Sequence, residues 1–212
     1  NLAAREISES LLAFESYANN HKPQYSAVFG VNWRTVSTAD CDKLIVLRDV
    51  GQNAYKRSRY QAMRESLSKL VTAKKHPGVM LLRGTTGVLR LLENEDEVAN
   101  FLKSRGHKII DVLNLSAVEI AQQIAGAEIV VGVEGSQLTH ALFSMSQDGA
   151  MVVLTPPYRF TQNLKSYADA LLMRHAFVVG DASVHGYKIN LDELARTLDM
   201  VYAELNRSAS TI

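Results

Sequence analysis

From residue 78 to the C-terminus, short apolar runs alternate with stretches whose apolar positions recur at three and four. Val79-Met80-Leu81-Leu82, Lys108–Leu113, Ile129–Val133, Ala150–Leu154 and Ala176–Val179 read as buried strands. Between them lie predicted helices. One opens with Asn94-Glu95-Asp96-Glu97, buries Val98, Phe101 and Leu102, and stops at Gly106. The next opens with Ser116-Ala117-Val118-Glu119 and stops at Gly126. Further helices are predicted over 136 to about 146 and over about 161–174. The last is capped by Asn190 and Glu193 and carries Leu194, Leu198 and Val201 on one side, before a polar tail from Asn206 that should fray.

The first third is less regular. Ile7, Leu11, Leu12 and Phe14 suggest a helix over 1 to about 24, ended by Pro23. Ser26–Phe29 and Lys43–Leu47 read as short strands. Tyr60, Met63, Leu67 and Leu70 mark one face of a surface helix from Tyr55 to about Val71.

Strands and helices alternating at these lengths predict an α/β fold, a three-layer Rossmann-like parallel sheet with helices on both faces. The expected organisation is an N-terminal segment over 1–41, a Rossmann-like domain over 42–206, and a tail over 207–212. Ligands of such sheets bind at the carboxyl ends of the strands, so the residues after each strand are the ones to search.

The richest of these segments is Glu128–Phe143. Its strand is broken by Gly132 and Gly135, and a helix follows from Ser136. That arrangement offers the amides of Ser136, Gln137 and Leu138 to an anion. A phosphorylated ligand is the first expectation, foremost the pyrophosphate of a nucleotide sugar. Glu134 lies in the turn, where it either acts as a general base or holds the turn through backbone N–H groups. His140 either meets ligand or packs against a neighbouring strand.

After the strand at 79–82 comes Arg83-Gly-Thr-Thr-Gly-Val-Leu-Arg90, whose arginines suit phosphate oxygens. Thr155-Pro-Pro-Tyr158 brings a tyrosine that either stacks on a base or closes the edge of the core.

Composition narrows the field. With 212 residues, 47% apolar and 21% charged, the chain is an ordinary globular domain, and a net charge of +1 provides no general attraction to nucleic acid. Cys41 is the only cysteine, so no disulfide forms within the chain and a four-thiolate metal site is excluded. Asp40-Cys-Asp42 resembles a metal-holding acidic pair but precedes a predicted strand, and no metal or other cofactor is expected. No apolar run approaches the roughly 20 residues needed to cross a bilayer. The chain opens on Asn1 rather than Met, which suggests a fragment. A P-loop Gly-Lys-Ser/Thr and the Gly-x-Gly-x-x-Gly dinucleotide fingerprint are both missing.

Taken in order, Leu82-Arg83, Arg90, Asn94-Glu95, Gly132-x-Glu134-Gly135-Ser136-Gln137-Leu138-Thr139-His140 and Val152–Pro156 resemble the motif series of the family-61 glycosyltransferases over roughly 42–180. That series has a strand ending in Ser-Arg, a further arginine, an Asn-Glu helix start, and a strand leading into Gly-x-His-Gly-Ala-Gly-Leu-Thr-Asn. Here Glu134 stands where that motif has His, and Ser136-Gln137 where it has Ala-Gly.

The resemblance implies a hexosyl- or pentosyltransferase whose nucleotide-sugar-binding domain, 42–206, corresponds to the C-terminal, donor-binding half of a GT-B fold, with 1–41 an N-terminal segment or remnant of a second lobe. It implies an inverting, metal-independent transfer from a nucleotide sugar to a glycan or lipid-linked glycan acceptor, in surface or capsular polysaccharide biosynthesis. The expected place is cytoplasmic, or peripheral at the inner membrane face. Arg83 and Arg90 would neutralise the diphosphate, Asn94 and Glu95 would shape the nucleoside end, and Gly135 to His140 would complete substrate binding, with Glu134 as the candidate base. The alternative is a non-catalytic module that binds a nucleotide sugar or sugar phosphate for a partner enzyme.

Overall fold

The computed structural model describes residues 12–14, 21–45, 51, 53–83, 90–161 and 163–209. In chain order the strands are β1 (Leu12–Phe14), β2 (Arg34–Val36), β3 (His76–Leu82), β4 (His107–Asp111), β5 (Ala127–Val133), β6 (Ala150–Thr155), β7 (Arg174–Val179), β8 (Asp181–Ala182) and β9 (Tyr187–Lys188). The helices are α1 (Lys22–Val28), α2 (Ala54–Ser68), α3 (Glu95–Ser104), α4 (Ala117–Ile124), α5 (Thr139–Ser144), α6 (Asn163–Ala170) and α7 (Leu191–Ala209).

Five strands form one parallel sheet in the order β4-β3-β5-β6-β7, as expected from the alternation. The central strands are apolar at successive positions because both faces are covered: every residue of β6, and all but Glu128 in β5, are buried. On one face, Val98 and Leu102 of α3 and Leu194 and Leu198 of α7 pack on Met80, Val131 and Val152. On the other, α4, α5 and α6 cover Val79, Val130 and Val153. Outside α4 and α5 lies a smaller cluster of Phe29, Val31, Leu67 and Ala121, which fastens α1 and α2 to the domain. Burying a leucine-sized side chain contributes roughly 1.5–3 kcal/mol relative to exposure, so these three clusters supply the main driving force.

Local signals hold best where a side chain finds a backbone partner nearby. Ser116 and Glu119 complete a capping box, and the Asn190 carboxamide accepts from the amides of Asp192 and Glu193. Gly106 and Gly126 have φ of +84° and +82° at the predicted stops, a conformation that suits glycine.

Several expectations are corrected. Ser26–Phe29 is not a strand: residues 22–28 form α1, with Pro23 in its first turn. Proline fits there because its φ is already helical and its missing N–H would have lacked a partner. Pro23 thus begins a helix instead of ending one, and in the predicted helix over 1–24 the described residues 12–14 form β1, parallel to β2. Residues 43–45 carry no strand, and Val46 and Leu47 lie outside the described residues. The segment from Ser136 to about 146 divides into a 3-10 turn over Ser136–Leu138 and the six-residue α5. Asn94 precedes α3 but makes no side-chain cap bond. Residues 206–209 continue α7 where fraying was expected. The β8–β9 hairpin was not anticipated; it carries Tyr187, which is fully buried.

Candidate active site at the switch in strand order

The connection after β3 runs one way across the sheet to β4, and the next passes back over β3 to β5. Loops therefore diverge at the carboxyl ends of β3 and β5, and the opening between them is where doubly wound sheets hold ligand. Arg83 follows β3 there, and Glu134, Gly135 and Ser136 follow β5.

Two guanidinium groups converge on one backbone oxygen. Arg83 Nη1 donates to the Glu134 carbonyl at 2.9 Å, and Arg90 Nη1 donates to the same oxygen at 2.7 Å. Both arginines are buried. Burial, and then the adjacent Arg90, push the Arg83 guanidinium below its ordinary range. The Glu134 carboxylate supplies the local counter-charge: Oε2 lies 2.9 Å from Arg90 Nη1 and 3.5 Å from Arg159 Nε, and Oε1 accepts from the Thr161 hydroxyl at 3.4 Å. The Arg90–Glu134 approach has ion-pair distance without hydrogen-bond alignment, and Arg90 Nε is buried with no hydrogen-bond partner. Among these four side chains, three guanidinium charges face one carboxylate, a surplus of two positive charges.

Gly135 makes the arrangement possible. Its backbone is extended, and a Cβ there would collide with Arg83 Nη1 and Gln137 Oε1. Gly132 likewise leaves room for Leu138 against β5. In the 3-10 turn, the Leu138 amide donates to the Gly135 carbonyl at 3.2 Å, so of the three expected anion-binding amides this one is engaged in the turn. Leu138 itself is core, and Thr139 Oγ1 donates to the Ser136 carbonyl at 2.6 Å.

Beside the arginines opens a cavity of about 270 Å³ lined by His21, Gln24, Arg83, Val112, Leu113, Leu115, Ser136, Gln137 and His140. Four predicted residues (Arg83, Ser136, Gln137 and His140) meet in it. His140 is buried, and a 2.6 Å hydrogen bond joins its Nδ1 to Tyr25 Oη. Burial, and then His21, lower its pKa from 6.5 to about 4, so it is neutral at physiological pH. Burial raises the Tyr25 phenol well above its ordinary value, so it stays protonated.

Asn94 and Glu95 stand apart from the cavity. The Asn94 carboxamide bridges the backbone of Ile189, donating to its carbonyl at 2.9 Å and accepting from its amide at 3.0 Å. It ties α3 to the start of α7. Glu95 is partly buried in the first turn of α3, and burial, with Asp96 and Asp111, raises its carboxyl above the usual range. Tyr158 is exposed, with its ring edge-on to Tyr187 at 6.5 Å between centroids.

Sequence reasoning missed His21, Gln24 and Tyr25, because Pro23 was read as a stop instead of a first turn. It also missed Arg159 and Thr161, which follow the Pro-Pro turn after β6 within the strand-end region already marked by Tyr158. Among the described residues, no group of three His, Cys, Asp or Glu side chains is arranged to hold a metal ion, and no helix is long and apolar enough to cross a membrane.

No curated protein matches the chain in sequence. The sequence model of the family described as Glycosyltransferase 61 matches residues 12–153, more than half of the chain and a span that takes in α1, both converging arginines and the β5 turn. With a three-layer parallel fold, a basic site at the switch in strand order and that match, the chain belongs to glycosyltransferase family 61 and is a glycosyltransferase.

Proposed function

We propose that this enzyme uses a nucleotide-sugar donor whose diphosphate lies against Arg83 and Arg90. The observation that carries the reading is the convergence of both guanidiniums on the Glu134 carbonyl, with Arg90 Nε buried and unmet and a formal surplus of positive charge. A diphosphate would supply the missing negative charge, and planar guanidinium donors suit its oxygens. In transfer, negative charge grows on the departing diphosphate, so fixed cations there stabilise the transition state more than the ground state.

The same cations can perform the task that a divalent metal performs elsewhere, so the transfer is metal-independent in this reading. A single displacement with inversion, a domain equivalent to the donor half of a GT-B enzyme, and a glycan acceptor of a surface or capsular polysaccharide complete it. These finer features are supported by the motif series. Asn94 and Glu95 act from outside the cavity, through α3, Leu138 and Thr139 hold the β5 turn, and Gly135, Ser136, Gln137 and His140 face or border the donor. Glu134, with both carboxylate oxygens directed to Arg90, Arg159 and Thr161, acts as the counter-charge that positions the arginines.

Calorimetry against UDP-, GDP-, CMP- and dTDP-sugars, with and without EDTA, tests the reading. Saturable binding of one donor, unchanged by EDTA and lost in Arg83→Ala, is the expected result. Binding of none of them by the folded protein, or binding indifferent to Arg83, overturns the nucleotide-sugar assignment.

A further inference from the structure

The neutral wall beside the arginines has a hydrogen-bond inventory of its own. His21 Nε2 donates to the Leu115 carbonyl at 2.8 Å, so in the neutral ring Nδ1 carries the lone pair. Gln24 Oε1 accepts from the Ala117 amide at 2.6 Å, which leaves its NH₂ group as a donor at the rim. His140 Nδ1 is engaged with the Tyr25 hydroxyl, which leaves Nε2 as its other polar atom. Gln137 donates its NH₂ to the Val133 carbonyl and keeps Oε1 as an acceptor. Ser136 both donates and accepts. Among the described residues, the lining thus combines hydrogen-bond donors and acceptors with the apolar Val112, Leu113 and Leu115, and it holds no carboxylate and one cation, Arg83, at one side.

Hydroxyl groups, each donor and acceptor at once, match such a wall; a second phosphate does not, because its oxygens only accept. The volume of about 270 Å³ lies just below the roughly 300–1,000 Å³ of drug-sized sites and suits one ring. We propose that the cavity between α1 and the Ser136–His140 segment is a monosaccharide subsite, in which His21 and Gln24 bind hydroxyls of the glycosyl unit whose phosphate meets Arg83. The proposal rests on the diphosphate reading for its orientation, and α1 becomes part of the substrate site as well as of the fold.

Calorimetry on the full chain should use inorganic phosphate, α-glucose 1-phosphate, α-N-acetylglucosamine 1-phosphate and methyl α-glucoside. At least one sugar phosphate should bind roughly tenfold more tightly than phosphate, the increment of one or two added hydrogen bonds. His21→Ala and Gln24→Ala should bring that ratio toward one and leave phosphate affinity unchanged, whereas Arg83→Ala should weaken phosphate and sugar phosphate together. Gln24 is exposed, so its variant remains informative if His21→Ala proves unstable by circular dichroism. Sugar phosphates no tighter than phosphate, or a ratio that survives both substitutions, overturn the subsite and leave the anion site standing. Methyl glucoside binding that depends on His21, with no phosphate binding, keeps the subsite and removes the diphosphate reading. Binding of neither class overturns both.

Discussion

The short helix α5 meets arginine at each end, half-buried Arg64 at one and buried Arg83 and Arg90 at the other, and the two ends differ in kind. At its C-terminal end Arg64 donates from Nη1 to the Leu142 carbonyl and from Nη2 to the Met145 carbonyl, both at 2.6 Å. One guanidinium serves two carbonyls there, and a cation at a helix C-terminus has the favourable sign. Burial lowers the Arg64 pKa to about 10, and the group still carries its charge at neutral pH. At the other end, two guanidiniums share a single carbonyl just ahead of the turn that leads into α5, where the helix end is positive as well. The first arrangement is complete in itself. In the second, among the described residues, two guanidiniums meet at one carbonyl, and the anionic ligand proposed above would lie against them. A buried arginine is therefore informative about function only after its acceptors have been counted.

The sharpest way to break this comparison is to remove Glu134, the carboxylate that faces the arginines among the described residues. Glu134→Ala leaves Arg90 buried and unpaired, and we expect a loss of about 4 kcal/mol in denaturant-measured stability. Millimolar pyrophosphate should restore much of that loss, while chloride at equal ionic strength should not. Rescue by neither would mean that the cluster does not accept an anion.

Acid provides a second lever, because burial holds His140 neutral. Its folded pKa, about 4, lies below the ordinary 6.5, so the unfolded chain takes up this proton first as pH falls. The stability it contributes is present above pH 6.5 and is lost between about pH 6.5 and 4, an effect of about 3 kcal/mol. Urea unfolding across that range should show a shallower decline in His140→Gln than in the native chain. His107, also lowered to about 4 by burial, His76 and Arg105, should sustain a decline of its own in that variant.

Arg64→Ala should cost about 2–3 kcal/mol by leaving two buried carbonyls without their charged donor, with phosphate affinity unchanged. A loss of affinity there would place both ends of α5 in one ligand site and dissolve the distinction. Smallest in stability is Gly135→Ala, which pushes Arg83 aside. Phosphate affinity should fall roughly tenfold, with a melting temperature within a few degrees of native.

Much of the sheet was legible because its signals are local. Ile129–Val133 and Ala150–Leu154 are continuous apolar runs that require cover on both faces, and Gly106 and Gly126 stop helices through their own φ. The polar cluster was partly legible for the same reason: residues that end strands in a parallel sheet share one edge, so Arg83 and Glu134 could be brought together from order alone. Asn94 was misread as a cap because its true partner, the Ile189 backbone, lies on a distant segment. Pro23 was misread because the same residue ends one helix and begins another, and only the aromatic packing of Tyr25 and Phe29 on Phe143 decides between them.

The sequence by itself determined the parallel α/β class and the sheet edge at which Arg83, Glu134 and Gly135 lie. Period and turn chemistry act over a few residues, and those suffice for such features. Tertiary structure alone decided that Glu134 faces Arg90, that Gly135 is open because Arg83 passes beneath it, and that α1 brings His21 and Gln24 to the same cavity. Each of these is a contact between segments far apart in the chain. Its energy depends on burial and on the charge opposite, and neither quantity exists until the sheet has assembled.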